Sequence, residues 1–216
     1  MTDIVLIGAG GCMRELAWQI IESNKVKKEW NIVGYIDKLE NCGGHSVRIA
    51  DTKIDYLGDD DYIVNIDEDV NVILSIGSPS IRKNIYEMYS KNSHVLFPNI
   101  VLANTVVCDD IIMGQGCIVS MNAKISTNVI IGDFVFVNMD VTICHDGRIG
   151  DFVSLNPAVK LAGAVTIGEK TEIGMGSNII QGTNIGNNVV IGAGCVVIND
   201  TESNCTMVGV PARKVR

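Results

Sequence analysis

The sequence predicts a two-part chain of mixed class, α/β followed by β, with a small Rossmann-like domain before a parallel β-helix. The main observation is a hexapeptide spacing, because from Val101 to Val197 every sixth residue is Val, Ile, Leu or Met. Glycine also recurs every eighteen residues, at Gly114, Gly132, Gly150, Gly168 and Gly186. Three hexapeptides therefore form one coil. Before residue 98, apolar runs alternate with glycine turns and helical patterns, which indicates the α/β part.

The repeat also predicts how the coils pack. Each flat side of a coil is expected to send one aliphatic side chain to the axis, with glycine at corners that need a positive φ or a close approach of the next coil. Between five and six coils fit into residues 99–200. At the spacing of neighbouring strands they stack to roughly 25–29 Å. Further valines are expected on the outer faces, where they would suit packing against a neighbour: Val135, Val141, Val153 and Val159.

Composition restricts the class of function. The 216 residues carry a net charge of −8 and no basic stripe, which excludes a nucleic-acid partner. The first residues are typical of a strand and not of a signal peptide, and no apolar run approaches the roughly 20 residues that span a bilayer. The seven cysteines form no C-x-x-C pair. We therefore expect a cytoplasmic protein with reduced thiols and no membrane insertion.

The chain opens with a pattern that favours phosphate binding. Residues 3–7 predict a buried parallel strand, and Gly8-Ala9-Gly10-Gly11 leads from it into a helix. Free N–H groups at a helix start, beside glycines, let an anion approach closely. The dinucleotide fingerprint requires a third glycine where Met13 stands, so the turn fits a mononucleotide better than NAD. A tight turn without any ligand is the alternative.

A second strand is predicted at residues 32–36, and it ends at Asp37. In mononucleotide-binding units an acidic residue at this place often meets a ribose, whereas a simple turn former is the alternative. Residues 40–70 are polar and predict loops with one short strand.

The remainder of the first domain is predicted as a buried strand at 72–76 and a helix at 80–90. The inner face of that helix is expected to carry Ile81, Ile85 and Met88. A last short strand is expected at 94–96. The domain limits are placed at 1–97 for the Rossmann-like domain, 98–200 for the β-helix and 201–216 for a tail that caps the final coil.

One histidine, His145, lies in the repeat region, two residues after the core position Ile143. Its unperturbed pKa suits a general base near neutrality, and Asp146 is close enough in sequence to orient it. Gly163 follows one full coil later, so its N–H is expected roughly 5 Å away, where it would stabilise a thioester oxyanion. A solvated corner histidine is the alternative. A zinc site is disfavoured because one histidine cannot supply the usual ligands.

Five motifs occur in order along the chain: the turn at 8–11, Gly-Tyr-Ile-Asp at 34–37, Ile-Gly-Ser at 76–78, Cys-His-Asp at 144–146 and Val-Gly-Val-Pro-Ala at 208–212. In this order and spacing they resemble the bacterial sugar acyltransferases that include sialic acid O-acetyltransferases and nucleotide-aminosugar N-acetyltransferases. The resemblance covers nearly the whole chain.

The resemblance implies a left-handed β-helix, a homotrimer, and acetyl-CoA as co-substrate without a metal. It also implies that His145 is the general base, Asp146 its helper and Gly163 the donor to the acetyl oxygen. The nucleotide-sugar is then expected at Gly8, Gly10, Gly11, Asp37, Lys38, Ser78 and Arg82. Acetyl-CoA is expected at Asn138, Ser154, Gly163, Gly182, Ala193, Pro211 and Arg213.

Three positions depart from the pattern of the family. Cys12 stands where many relatives carry histidine, Lys38 where a second acidic residue is common, and Ser154 where a second histidine is frequent. These departures concern the sugar and nucleotide contacts more than the acyl transfer.

The preferred function is direct acetyl transfer from acetyl-CoA to the amino group of a nucleotide-linked 4-amino-4,6-dideoxy sugar. O-acetylation of a sialic acid or another sugar is an alternative in the same class. From another class, a non-catalytic β-helix would serve as a binding scaffold. A sugar nucleotidyltransferase is disfavoured because its catalytic domain needs more residues than precede the repeats.

Overall fold

The structure, a computed structural model, describes all 216 residues, which divide into two compact units. The first unit comprises residues 1–77 and 81–98, and the second unit comprises residues 78–80 and 99–216.

The chain up to residue 98 forms short strands and helices in the order β1 (Thr2–Ile7), α1 (Gly11–Val26), β2 (Trp30–Ile36), α2 (Leu39–Cys42), β3 (Val47–Ile49), β4 (Thr52–Ile54), β5 (Tyr56–Gly58), α3 (Asp60–Val64), β6 (Val70–Leu74), α4 (Pro79–Tyr89) and β7 (Val95–Leu96). Five strands form a parallel sheet in the order β5-β2-β1-β6-β7. The strands β3 and β4 form a separate antiparallel pair.

The sequence of β1 explains its central position. A strand in the middle of a parallel sheet is covered on both faces, so it needs a continuous apolar run and not an alternating one. Residues 4–7 are all buried. Helix α1 then covers the sheet with one apolar side, on which Met13, Leu16, Ala17 and Ile20 are buried.

Two expectations for the first unit were wrong. Residues 40–70 contain three short strands and two short helices, not loops with one strand. Such brief elements carry too few residues to show a period, so tertiary pairing decides them. Helix α4 also turns a different side inward, because Arg82 and Tyr89 are buried whereas Ile81 is 52% exposed.

Residues 99–197 form two-residue strands, namely β8 (Ile100–Val101), β9 (Val106–Val107), β10 (Ile112–Met113), β11 (Ile118–Val119), β12 (Lys124–Ile125), β13 (Ile130–Ile131), β14 (Phe136–Val137), β15 (Thr142–Ile143), β16 (Arg148–Ile149), β17 (Ser154–Leu155), β18 (Lys160–Leu161), β19 (Thr166–Ile167), β20 (Glu172–Ile173), β21 (Asn178–Ile179), β22 (Asn184–Ile185), β23 (Val190–Ile191) and β24 (Val196–Val197). They form three parallel sheets, which are the three sides of a β-helix. Each residue pairs with the residue eighteen positions later, as Ile118 does with Phe136.

The core of the β-helix takes two side chains from each side of a coil. The hexapeptide series supplies one, such as Ile143, and the residue two positions earlier supplies the other, such as Val141. Period-two alternation in a strand points both residues inward and the residue between them outward. The expectation that Val135, Val141, Val153 and Val159 lie on the outer faces was therefore wrong, because all four are at most 1% exposed.

The corners use two kinds of residue for two purposes. A left-handed backbone recurs every six residues, for example at Asn128 with φ 54° and Asp146 with φ 61°. The glycines of the eighteen-residue series serve close approach instead. A Cβ on Gly132 would lie 2.2 Å from the carboxylate of Asp151 in the next coil.

The chain after residue 200 covers the end of the β-helix. Strand β25 (Thr206–Val208) pairs in parallel with β23, and β26 (Arg213–Lys214) pairs antiparallel with β25. Backbone hydrogen bonds connect this segment to the last coil, among them the bonds from Ala212 N to Val196 O and from Val196 N to Gly209 O.

The neighbours Ile130 and Ile131 allow a test of which side chains point into the core of the β-helix. Ile131 is 2% exposed, whereas Ile130 is 37% exposed. We expect Ile131→Ala to lower the free energy of unfolding by about 2–5 kcal/mol, because it leaves a cavity in the axis of the coils. Ile130→Ala is the matched control and should stay within about 0.5 kcal/mol of the wild type. Urea unfolding followed by circular dichroism measures both, and equal losses would contradict the assignment.

Candidate active site

The first unit contains a cavity of about 610 Å³ at the carboxyl ends of β1, β2 and β6. Its volume lies in the range of sites for small ligands, and this edge of an open parallel sheet is where such ligands bind. Helix α4 gives it an apolar wall, made of Ile81, Ile85 and Met88. The apolar side that the sequence predicts for the core therefore faces the cavity.

The glycine turn forms one side of this cavity. Gly8 has φ 107°, a conformation that favours glycine, and its N–H donates to Ile36 O at 2.8 Å. Gly10 precedes α1 without any side-chain cap, and a Cβ on Gly10 or Gly11 would meet no atom within 4 Å. The first N–H groups of α1 thus face open space beside residues without side chains, which suits an anion.

Asp37 closes the turn from the end of β2. Its Oδ2 accepts a hydrogen bond from Ala9 N at 2.6 Å. Its Oδ1 accepts from Lys38 N and from Asn41 Nδ2, both at 2.7 Å. The carboxylate therefore holds the glycine turn in place, in addition to lining the cavity.

The structure brings together five of the seven residues expected to bind the nucleotide-sugar, since Gly8, Gly10, Gly11, Asp37 and Lys38 all line the cavity. The other two do not line it.

Arg82 is one of those two. It is 1% exposed, and its Nη1 donates to Ile76 O at 2.6 Å and to Gly77 O at 3.2 Å. A buried charged group needs hydrogen-bond partners, and Arg82 finds them in these two carbonyls. It therefore supports the segment that follows β6 from within the fold. Ser78 is the other, and its Oγ lies 3.3 Å from Ser80 Oγ.

Cys12 also lines the cavity. Burial raises the pKa of its thiol to about 11. A thiol with this pKa is neutral near pH 7, so it presents a small apolar group beside the start of α1.

The second unit places His145 and Asp146 together at one corner of a coil. His145 Nδ1 lies 2.7 Å from Asp146 Oδ2. The two side chains are 61% and 48% exposed. Hydrogen bonds from His145 and from Asn128 hold the pKa of Asp146 below its usual value, so the group is a carboxylate. An ionised carboxylate only accepts, so Nδ1 carries the proton, and in the neutral form of the ring Nε2 keeps its lone pair.

Gly163 lies one coil further along, directly against the imidazole. A Cβ at this position would be 2.4 Å from His145 Cε1 and 2.5 Å from Nε2, so only glycine leaves room for the ring. Its carbonyl accepts from Gly182 N at 2.9 Å, whereas its own N–H has no partner in the chain. A free peptide donor therefore lies beside a ring nitrogen with a free lone pair.

The residues expected to hold acetyl-CoA differ in accessibility. Gly182 adds open space two coils beyond the histidine corner, with no atom within 4 Å of a Cβ there. Ala193, Pro211 and Arg213 are exposed. Asn138 and Ser154 are 7% and 1% exposed, and Asn138 Oδ1 accepts from Met139 N at 2.7 Å.

Sequence reasoning missed some residues at both places. Asn128 contacts Asp146, and the eighteen-residue period would have located it, since Asp110, Asn128 and Asp146 are spaced by that interval. No sequence pattern indicated Asp60 and Asn84, which line the cavity from α3 and α4. These helices meet the sheet only through tertiary packing.

Three further features of the chain bear on its chemistry. No group of three or more His, Cys, Asp or Glu side chains is arranged to hold a metal ion. All seven cysteines are free. None of the helices has the length and apolar content that a membrane span requires.

Comparison with protein families gives two matches. The model of the PglD N-terminal domain matches residues 3–89. The model of the bacterial transferase hexapeptide, six repeats, matches residues 164–199. A search of the curated proteins found no match.

Several solved structures share the whole architecture. PerB from Caulobacter crescentus, in complex with CoA and GDP-perosamine, has a TM-score of 0.85 and 27% identity, over 100% of this chain and 98% of its own. The acetyltransferase domain of PglB from Neisseria gonorrhoeae FA1090, in complex with acetyl coenzyme A, has a TM-score of 0.86 and 25% identity, over 99% and 98%. WeeI from Acinetobacter baumannii AYE, at 22% identity and a TM-score of 0.75 over 99% and 100%, shares the fold.

These findings define the class first: the protein is a hexapeptide-repeat acyltransferase whose repeats form a left-handed β-helix. Its N-terminal unit narrows the assignment. Residues 3–89 match the PglD N-terminal domain, and over its whole length the chain is similar to sugar N-acetyltransferases.

We expect His145→Ala to lower kcat by about 10²–10⁴-fold, the usual contribution of a general base, while the melting temperature stays near that of the wild type. His94→Ala is the matched control, because His94 Nδ1 also lies 2.9 Å from a carboxylate, that of Asp69, but in the first unit. Steady-state acetyl-CoA turnover measures both. Full activity in His145→Ala would refute its role as the base.

Gly163→Ala tests the contact between the peptide and the ring. The backbone of Gly163 is not left-handed, so alanine fits the main chain, but its methyl group would displace the imidazole. We expect kcat to fall about 10²-fold, as for a misplacement of roughly 1 Å at a reacting group. Thermal stability should remain, since the ring can turn into solvent. Unchanged turnover would show that the ring and this peptide do not act together.

Proposed function

We propose that this protein is an acetyl-CoA-dependent N-acetyltransferase that acts on a nucleotide-linked 4-amino-4,6-dideoxy sugar. The observation that carries the proposal is the corner at which an imidazole, oriented by Asp146, lies against Gly163, whose N–H has no partner in the chain. The likeness to an N-acetyltransferase in complex with CoA and GDP-perosamine supports the acceptor class.

The chemistry at this corner is a direct transfer. The amino group of the sugar attacks the thioester carbon of acetyl-CoA, and a C–N bond forms. His145 Nε2 takes the proton from the attacking nitrogen, while Gly163 N–H donates to the oxyanion of the tetrahedral intermediate. The C–S bond then breaks, and the thiolate of coenzyme A takes the proton from the imidazolium. The products are the N-acetylated sugar nucleotide and free coenzyme A.

Asp146 contributes in two ways to this transfer. It holds the proton of the neutral imidazole on Nδ1, which leaves Nε2 free to act as the base. Its negative charge then stabilises the imidazolium that forms during the reaction, because the lowered pKa keeps it ionised as the pH falls. Its partial exposure keeps this electrostatic effect modest.

The nucleotide is assigned to the cavity of the first unit. The glycine turn and the uncapped start of α1 suit its phosphates, and the apolar wall on α4 suits the flat face of a base. Acetyl-CoA is assigned to the second unit, along the corner that continues from His145 through Gly163 to Gly182. A Cβ on Gly182 would meet no atom within 4 Å, so this end of the corner leaves space for a narrow pantetheine arm.

We further propose a homotrimer in the cytoplasm. An exposed aliphatic side chain on an outer face supports an interface between copies, since Ile112 is 63% exposed. The seven free cysteines support a reducing compartment.

An acceptor panel tests the function. We expect coenzyme A release from acetyl-CoA with UDP-, dTDP- or GDP-linked 4-amino sugars, and none with the matched 4-hydroxy nucleotide sugars or with free sialic acid. Release with the hydroxyl acceptors alone would make the protein an O-acetyltransferase. A thermal shift with coenzyme A accompanies the assay, since a ligand at 100 times its Kd adds about 2.7 kcal/mol. No shift and no turnover with any acceptor would favour a binding scaffold.

A further inference from the structure

Asn128 lies one coil before Asp146 at the same corner of the β-helix. Its Nδ2 donates a hydrogen bond to Asp146 Oδ1 at 2.5 Å. The other oxygen of that carboxylate, Oδ2, lies 2.7 Å from His145 Nδ1. Both oxygens of Asp146 are thus engaged from opposite sides. Because the Asp146 side chain is 48% exposed, core packing alone does not hold its orientation.

The backbone of Asn128 is itself fixed by two neighbours. Its N–H donates to both carboxylate oxygens of Asp110, at 3.1 Å each. Its carbonyl accepts from Arg148 Nη1 at 2.7 Å. With φ 54° it occupies the left-handed region, which asparagine tolerates better than most residues. The amide therefore extends from a restrained corner toward the next coil.

We propose that Asn128 is a positioning residue for the general base, acting through Asp146. By holding Oδ1 it turns Oδ2 toward His145, which keeps the imidazole proton on Nδ1 and leaves Nε2 free. This inference rests on the proposed function, because it assigns a task within that reaction. A hydrogen bond that holds the partner of a histidine fixes both the tautomer and the direction of the ring.

The charged groups around the contacts from Asn128 through Asp146 to His145 influence how this corner responds to pH. The carboxylate of Asp110, one coil before Asn128, faces the backbone of Asn128. The guanidinium of Arg148, which belongs to the same coil as Asp146, lies near that carboxylate. The coil after contributes Gly163 and Ala164, which carry no charge, and Cys144 precedes the histidine with a thiol.

Asn128→Gly removes the amide without straining the left-handed corner. We expect kcat to fall about 3–10-fold, which is the scale of one ordinary hydrogen bond and suits a partly exposed carboxylate, with the KM for acetyl-CoA unchanged. Asn188→Gly is the matched control. Asn188 also has a left-handed backbone, with φ 54°, and its Nδ2 donates to Asn204 Oδ1 at 2.9 Å, at another corner. The control should keep the wild-type kcat.

Asn128→Asp keeps the shape but places a carboxylate where the amide donates. Added negative charge near His145 favours the imidazolium, so the acid limb of the kcat profile should move to higher pH by about 0.5–1 unit. A merely structural corner residue would leave this limb in place. An unchanged limb, together with wild-type kcat in Asn128→Gly, would overturn the inference.

Nuclear magnetic resonance gives a readout that does not depend on turnover. The chain has three histidines, so the ring nitrogens of His145 can be assigned by comparison with His145→Gln. We expect the wild type to show Nδ1 protonated and Nε2 unprotonated at high pH, and Asn128→Gly to show a mixture of tautomers. The same tautomer in both proteins would contradict the positioning role.

Different results would contradict the proposed acetyltransferase function and the role of Asn128. A wild-type protein that acetylates none of the nucleotide amino sugars would remove the proposed function, whatever the tautomer of His145. An active wild type with an indifferent Asn128→Gly variant would remove only the role of Asn128.

Discussion

The parallel register of the coils is the constraint on which the site depends. Each strand pairs with the strand eighteen residues later, so a residue lies above the one that occupies the same place in the previous coil. Backbone hydrogen bonds fix this offset along all three sides. Residues that are distant in sequence therefore form columns about 5 Å apart. The column 110, 128, 146 and the column 145, 163 are two such sets, and the candidate chemistry lies where they meet.

Glycine serves different purposes at different positions of this structure. In the eighteen-residue series it permits the next coil to approach, as at Gly132. At Gly163 it gives an imidazole a place against the peptide and leaves an N–H without a partner. At Gly8 it allows a backbone with φ 107° beside the cavity of the first unit. The absent side chain thus allows close packing at Gly132, leaves room for a ring at Gly163 and permits a turn at Gly8.

The first unit combines polar and apolar surfaces around one cavity. The glycine turn and the start of α1 offer backbone donors, while α4 offers Ile81, Ile85 and Met88. Asp37 does not stand free in the cavity, because three donors of its own chain occupy its oxygens. A buried Arg82 supports the neighbouring strand end in a similar way. Several polar groups near the cavity therefore shape it before any ligand binds.

The sequence by itself determined the class of each part, because hexapeptide and eighteen-residue periods follow directly from coil geometry and need no long-range information. It also placed Gly163 next to His145, since the two residues are one coil of eighteen residues apart. The tertiary structure alone decided which side of α4 faces the cavity and what occupies residues 40–70. It also decided that Val141 lies inside and Arg82 is buried. These features depend on packing between elements whose short or ambiguous patterns allow more than one orientation, and only the folded chain selects among them.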